Sequence, residues 1–331
     1  MRPAAVNVTS MAKLFLPARH KRVCFINPIN GRLWLGLLEP HQRYGLLFKR
    51  NLKYPKGVLG FSFSSNEHGL RGPANATAPG VILGTSFGMG LSVDDGCNWY
   101  ELLLDKDQWF NGSMPVGPRN NANLLDDLYR GSYETLLYLY HPNVWKTAQG
   151  YDKAEESGHD IFQTLSWKTA FWPTLALYPK WLAKEAYKTS QGWSVHEKWD
   201  GKDFYFNARY SYMALSKNLP FAERQMGILN GIFRRFGHVI AVRAPIKEDL
   251  AGRLGMSDRL RTLAAHNDEW WNFFASNAAP GVRTVELPAD SFEAGDFHPY
   301  DTHWTPTGNE KFARLVRPLL VDAGVGGVKR S

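Results

Sequence analysis

Val81-Ile82-Leu83-Gly84-Thr85-Ser86-Phe87-Gly88-Met89-Gly90 is the stretch on which the fold turns. Its first three residues form a short apolar run of the kind found in strands buried on both faces. The run passes without a spacer into Gly-x-Ser and two further glycines. Glycines permit a tight turn and let a ligand approach the backbone. In open α/β sheets, ligands bind beyond the carboxyl ends of the strands. Ser86 is therefore expected where a reactive group is exposed, at the N-terminus of a following helix whose free N–H groups stabilise negative charge. An ordinary strand-to-helix turn capped by Ser86 explains the same residues without any chemistry. A phosphate loop does not, because no Gly-Lys-Ser/Thr follows and the spacing is not G-x-G-x-x-G.

Further buried-strand runs lie at 109–111, 133–140, 238–242 and 282–287. Helical patterns fall between them. Ala222, Met226, Leu229, Phe233 and Phe236 recur at spacings of four and three, one face of a helix, and Gly237 stands where a C′ glycine is expected. Strands alternating with helices predict an α/β domain: a three-layer, doubly wound sheet of about five parallel strands. Residues 1–79 read instead as short strands and turns, with candidate strands at 21–26, 32–38 and 57–64, so a β-rich extension packed on a main domain at 80–325 is expected. Residues 144–210 are too long for a single crossover. They carry 15 aromatic residues in 67, against 14% for the whole chain, and read as a mostly helical insertion. Packing onto the sheet domain explains such aromatics most simply; a substrate wall or partner surface is the sharper reading.

Composition narrows the class. Of 331 residues, 44% are hydrophobic and 21% charged, which excludes disordered and fibrous chains. No run of about 18 apolar residues predicts a membrane-spanning helix. The first residues lack a long apolar secretory core, so a cytoplasmic location is expected. Cys24 and Cys97 form no disulfide framework and no metal spacing, and no HExxH occurs, so no metal or other cofactor is expected. The net charge of +8 is scattered rather than gathered in a stripe, which argues against nucleic acid as a partner. A solvated basic surface accounts for it; attraction to acidic polysaccharide or a membrane surface fits as well.

A serine hydroxyl needs a base to become a nucleophile, and histidine has the pKa for that work near neutrality. The C-terminal stretch Asp296-Phe297-His298-Pro299-Tyr300-Asp301-Thr302-His303-Trp304-Thr305-Pro306-Thr307-Gly308-Asn309-Glu310 offers one. Asp301 and His303 stand two apart in a loop before a helix with apolar positions Phe312, Leu315, Val316 and Leu319, for which Thr307 and Glu310 make a candidate capping box. A carboxylate so placed fixes the imidazole tautomer and stabilises the imidazolium. Asp296 and His298 have the same spacing and rank second, since no helix follows them directly.

Together these segments resemble the SGNH/GDSL hydrolase family, in particular its bacterial polysaccharide-associated esterases and O-acyltransferases. Gly84-Thr85-Ser86 stands where the family has Gly-Asp-Ser, and Asp301-Thr302-His303, followed by Trp304 and Gly308, where it has its last block. Asn66-Glu67-His68-Gly69-Leu70-Arg71-Gly72 and Val93-Asp94-Asp95-Gly96 resemble the flanks of the first block. The resemblance covers about 60–325 without the insertion, and implies a flavodoxin-like sheet. It implies Ser86 as nucleophile, His303 as general base and Asp301 as its orienter. It also implies an oxyanion hole from the Ser86 N–H, the Gly117 N–H (Gly112 in reserve) and the Asn143 side chain. The chain departs from the family at Thr85 and at Val144, both positions where an Asp is usual. The implied substrate is a small-molecule or carbohydrate acyl ester. The acyl-serine would pass to water in an esterase or to a sugar hydroxyl in an O-acyltransferase. Two rivals remain: an α/β-hydrolase, since Gly84-Thr85-Ser86-Phe87-Gly88 also satisfies G-x-S-x-G, and a catalytically inactive glycan-binding or scaffold domain.

Overall fold

The computed structural model describes residues 38–41, 43–54, 61–145, 147–149, 194–207, 214–299 and 301–329. Two small antiparallel pairs come first, Leu38–His41 (β1) with Gly45–Phe48 (β2), and Lys53–Tyr54 (β3) with Phe63–Ser64 (β4). Then come Gly80–Gly84 (β5), Trp109–Asn111 (β6) and Thr135–Tyr140 (β7). Ser194–Trp199 (β8) and Lys202–Asn207 (β9) pair as a hairpin, and His238–Arg243 (β10) and Val282–Glu286 (β11) follow.

β5, β6, β7, β10 and β11 form one sheet in the spatial order β6-β5-β7-β10-β11, and every pairing in it is parallel. In chain order this is 2-1-3-4-5, a doubly wound arrangement of flavodoxin type. The order reverses between β5 and β7, where the register sets Gly84 opposite Leu139. Ligands bind at such a switch point, beyond the carboxyl ends of the strands. The five strand runs read from the sequence all occur, but β11, expected to be buried, is a half-exposed edge strand.

Strand residues alternate between two cores. Val81, Leu83, Leu136 and Tyr138 face one cluster; Ile82, Leu137 and Leu139 face the other. All of these are at most 1% exposed, and each such side chain contributes about 1.5–3 kcal/mol on burial. Helices among the described residues include Trp99–Leu103 (α1), Pro118–Leu128 (α2), Leu215–Phe233 (α3), Lys247–Arg253 (α4), Asp258–Asn277 (α5) and Pro306–Asp322 (α6). Leu124 and Leu125 of α2 and Met226 and Leu229 of α3 cover the first face; Trp99 of α1 and Phe312 and Val316 of α6 cover the second.

Several local expectations are corrected. The segment after β5 is a run of turns, with Met89 N–H bonded to Thr85 O and Leu91 N–H to Ser86 O; the next helix begins only at Trp99. The glycines at 84, 88 and 90 favour a turn over a continuing helix. α3 ends at Phe233, and Gly237 is not a left-handed cap: its N–H bonds Tyr133 O as the chain enters β10. α6 is capped by Thr305, whose Oγ1 accepts from Gly308 N–H, rather than by Thr307. Pro306, with φ already helical and no N–H to satisfy, takes the first helical position and fixes that start.

The expected strands at 21–26 and 32–37 lie outside the described residues, as do 57–60 of the third, whose described part is strand only at Phe63–Ser64. Much of the 144–210 insertion also lies outside them. Its described parts are helical at 144–145 and 147–149, as expected, and a hairpin at 194–207, where helix was also expected. Alternate residues Val195 and Trp199, and Phe204 and Phe206, enter the core, and Asp200 and Gly201 make the turn at φ +49° and +73°. An Asp-Gly pair with both φ positive suits the two-residue hairpin turn.

Candidate active site

β5 delivers Ser86 to the carboxyl edge of the sheet, and the turn behind it is tied down carbonyl by carbonyl. Trp99 Nε1–H donates to Phe87 O at 2.9 Å, Asn111 Nδ2–H to Gly88 O at 3.1 Å, and the buried Arg71 guanidinium to Gly90 O. A side chain at Gly88 would collide with Ser113 Oγ, so only glycine fits there. With its carbonyls turned inward, the turn leaves the Ser86 N–H without a backbone acceptor among the described residues. Ser86 itself is half-buried.

Asp301 and His303 ride on a loop closed at its base. Phe297 and Trp304 form an antiparallel bridge, His298 N–H bonds His303 O at 3.1 Å, and Thr305 N–H bonds Asp296 O at 2.9 Å. Trp304 anchors this loop on the sheet: its Nε1–H donates to Pro245 O at 2.8 Å, and its ring meets Phe87 edge-on at 4.8 Å. A side chain at Gly308 would collide with the Asp296 carbonyl, so glycine permits α6 to start this close to the loop. The β8–β9 hairpin braces the far side, with Tyr205 N–H bonded to Pro299 O at 2.8 Å. The buried Lys247 ammonium donates to His298 O and Pro299 O and lies over the Phe204 and Phe206 rings.

The two segments meet. Ser86 Oγ lies 2.7 Å from His303 Nε2, and His303 Nδ1 lies 2.8 Å from Asp301 Oδ1. The carboxylate takes the Nδ1 proton as its hydrogen bond, which leaves Nε2 as the acceptor for the Ser86 hydroxyl. Burial alone would raise the Asp301 carboxyl, but the adjoining His303, hydrogen bonds from His303 and Ser92, and nearby His298 together hold it well below the usual carboxylate range. Asp301 is thus an anion at neutral pH. A hydroxyl, an imidazole and a carboxylate in this series can remove the hydroxyl proton as oxygen attacks an electrophilic carbon.

Asn143 follows β7, next to β5 across the switch point. Its own N–H bonds His141 Nδ1 at 3.0 Å, and its side-chain amide makes no hydrogen bond to a described residue. His141 stacks on Phe87 with ring centroids 4.8 Å apart, and burial, reinforced by the neighbouring His303, lowers its pKa to about 3. It is a neutral support for the turn. Gly117 is the N-cap of α2 and packs against Ala148, shortly after Asn143. The reserve residue Gly112 is committed elsewhere, its N–H bonding Ile82 O at 2.9 Å. Ser86, Gly117 and Asn143 therefore leave from the carboxyl ends of three adjacent strands, β5, β6 and β7.

The second-ranked pair separates. His298 Nε2–H donates to Ser92 O at 3.0 Å, and Asp296 is buried against Lys311 and the Glu293 N–H. Sequence reasoning missed Ser92, whose hydroxyl donates to Asp301 Oδ2, and the bracing roles of Arg71, Trp99, Asn111 and Lys247. Arg71 lay in a quoted motif without a role; Ser92 carried no signal. Among the described residues, no cluster of His, Cys, Asp and Glu is placed to hold a metal ion, and no helix is long and apolar enough to cross a membrane. Compared with protein-family models and with curated proteins, the chain matches none of either.

Proposed function

We propose that the protein is a serine-dependent acyl-ester hydrolase of the SGNH/GDSL type, acting on an acylated carbohydrate. The reading is carried by one observation: Ser86, His303 and Asp301, joined by contacts of 2.7 and 2.8 Å at the switch point of the sheet. Ser86 Oγ bonds to the ester carbonyl carbon while its proton passes to His303 Nε2. The Ser86 and Gly117 N–H groups and the Asn143 amide receive the oxyanion. The carbon–oxygen bond to the alcohol then breaks, and His303 gives the alcohol its proton. Water attacks the acyl-serine, loses a proton to His303, and releases the acid as Ser86 Oγ recovers its own. Asp301 stays ionised throughout and steadies the imidazolium.

Thr85 occupies the family's usual Asp position with its side chain buried behind the turn, where it takes no part in these proton transfers. The carbohydrate part of the reading rests on the resemblance. Acetate release from O-acetylated glycans, measured beside transfer to a sugar acceptor, tests it. Release that is lost in Ser86→Ala supports the hydrolase. Acetyl transfer outpacing release would make the same acyl-serine that of an O-acyltransferase. Turnover of long-chain lipid esters alone would contradict the carbohydrate substrate, and no turnover of any ester would favour a binding domain.

A further inference from the structure

Ser92 sits at φ +71°, a backbone region that glycine enters freely and serine does not. The conformation is held from three sides. Arg71, with its side chain fully buried, donates to the carbonyls on either side of Ser92, those of Gly90 and Val93. His298 Nε2–H donates to the carbonyl of Ser92 itself at 3.0 Å. What this arrangement delivers is the hydroxyl. Ser92 Oγ donates to Asp301 Oδ2, the oxygen that His303 does not use, and stands 3.4 Å from His303 Nδ1.

We propose that Ser92 is a positioning residue of the Ser86–His303–Asp301 array, fixing the plane of the Asp301 carboxylate so that Oδ1 faces His303 Nδ1. The proposal rests on the acyl-serine reading above. Its physical basis is the softness of the carboxylate torsion. Rotation about the last bond of an Asp side chain is broad and roughly two-fold, so one partner alone orients it loosely. A second donor on the other oxygen stops that rotation and, through Asp301, holds the imidazole over Ser86. A strained backbone at a cluster of reactive groups is where such a device is expected. Glycine would relax the backbone here but supply no hydroxyl.

That contrast gives the test. Ser92→Gly relaxes the turn and removes the hydroxyl, so a purely structural role and a positioning role predict different results. Two measurements on the full chain decide: the labelling rate with a fluorophosphonate, and the acid titration of the Asp301 carboxyl followed by carbon NMR. His303, His298 and Lys247, the charged or titratable groups around Asp301, remain in both proteins. In Ser92→Gly the thermal midpoint is expected to hold or rise, labelling to slow about tenfold, as for losing a hydrogen bond to a charged group, and Asp301 to protonate at higher pH than in wild type. Labelling at the wild-type rate, or an unchanged Asp301 titration, overturns the proposal. A wild type that takes no label overturns the acyl-serine reading instead. The two failures are told apart because the titration is read without any reaction.

Discussion

His303 reaches Ser86 across 217 positions of chain, and its Nε2 atom stops 2.7 Å from the serine oxygen. Neither residue owes this to its local sequence. Ser86 is held by Trp99, Asn111 and Arg71 acting on carbonyls behind it; His303 is held by the Phe297–Trp304 bridge and by the Trp304 anchor on Pro245. The Ser86–His303 contact is the meeting point of two separately braced loops.

Asp301→Asn keeps the shape of the loop but removes the charge that selects the Nδ1–H tautomer. If the acyl-serine proposal holds, ester turnover falls by about 10⁴-fold, as for the corresponding change in serine triads. The thermal midpoint should move little. Initial rates and a melting curve on the same sample check this.

Asn143→Ala removes one proposed oxyanion donor, whose amide has no other partner among the described residues. The expected loss is about 10²–10³-fold in kcat with KM nearly unchanged, because the donor meets charge that develops only in the transition state. A fall confined to KM would place Asn143 in ground-state binding instead.

Acid stability follows from His141. Its folded pKa is lowered from the ordinary value to about 3 by burial first and His303 second. The unfolded chain therefore binds the extra proton between about pH 6.5 and 3, and that contribution to stability is present above 6.5 and lost as the pH falls through the window. Below about pH 4 the unfolded chain also takes a proton at Asp301, whose folded pKa is depressed, and this adds to the loss. Urea midpoints measured from pH 7 to 3.5 should decline more gently in His141→Gln than in wild type.

Arg71→Met leaves the carbonyls of Gly90 and Val93 without their donor in a buried setting. A destabilisation of about 3 kcal/mol is expected from the two unsatisfied groups. Denaturant unfolding measures it. Because Arg71 also holds the turn that carries Ser92, ester turnover in the still-folded variant should fall as well.

The sheet was readable because its central strands are short apolar runs bounded by turn residues, and Val81-Ile82-Leu83, followed by Gly-Thr-Ser, announced both a strand and the turn at its carboxyl end. Asp301 and His303 were readable for a similar reason: their spacing places them in one loop before a well-marked helix. The supporting residues were not. Ser92 is one serine in a glycine-bounded turn, and its value depends on a left-handed backbone and a carboxylate 209 positions away. Lys247 owes its place to the hairpin, whose Phe204 and Phe206 rings cover it. That hairpin had a signal that went unused: Asp200-Gly201 between alternating Val195, Trp199, Phe204 and Phe206. The density of aromatic residues around it favoured helix over strand without a physical reason to do so. The cap of α6 is Thr305, two residues before the Thr307–Glu310 pair, because Pro306 marks a helix start more firmly than a capping box does.

The most direct measurement is the intact mass of the protein after incubation with a fluorophosphonate, with the modified peptide then sequenced. The account predicts a single adduct on Ser86 in the wild type, and none in Ser86→Ala or, on the same timescale, in a variant lacking the His303 imidazole. An unmodified wild type, or an adduct that persists at another residue when Ser86 is replaced, would contradict it.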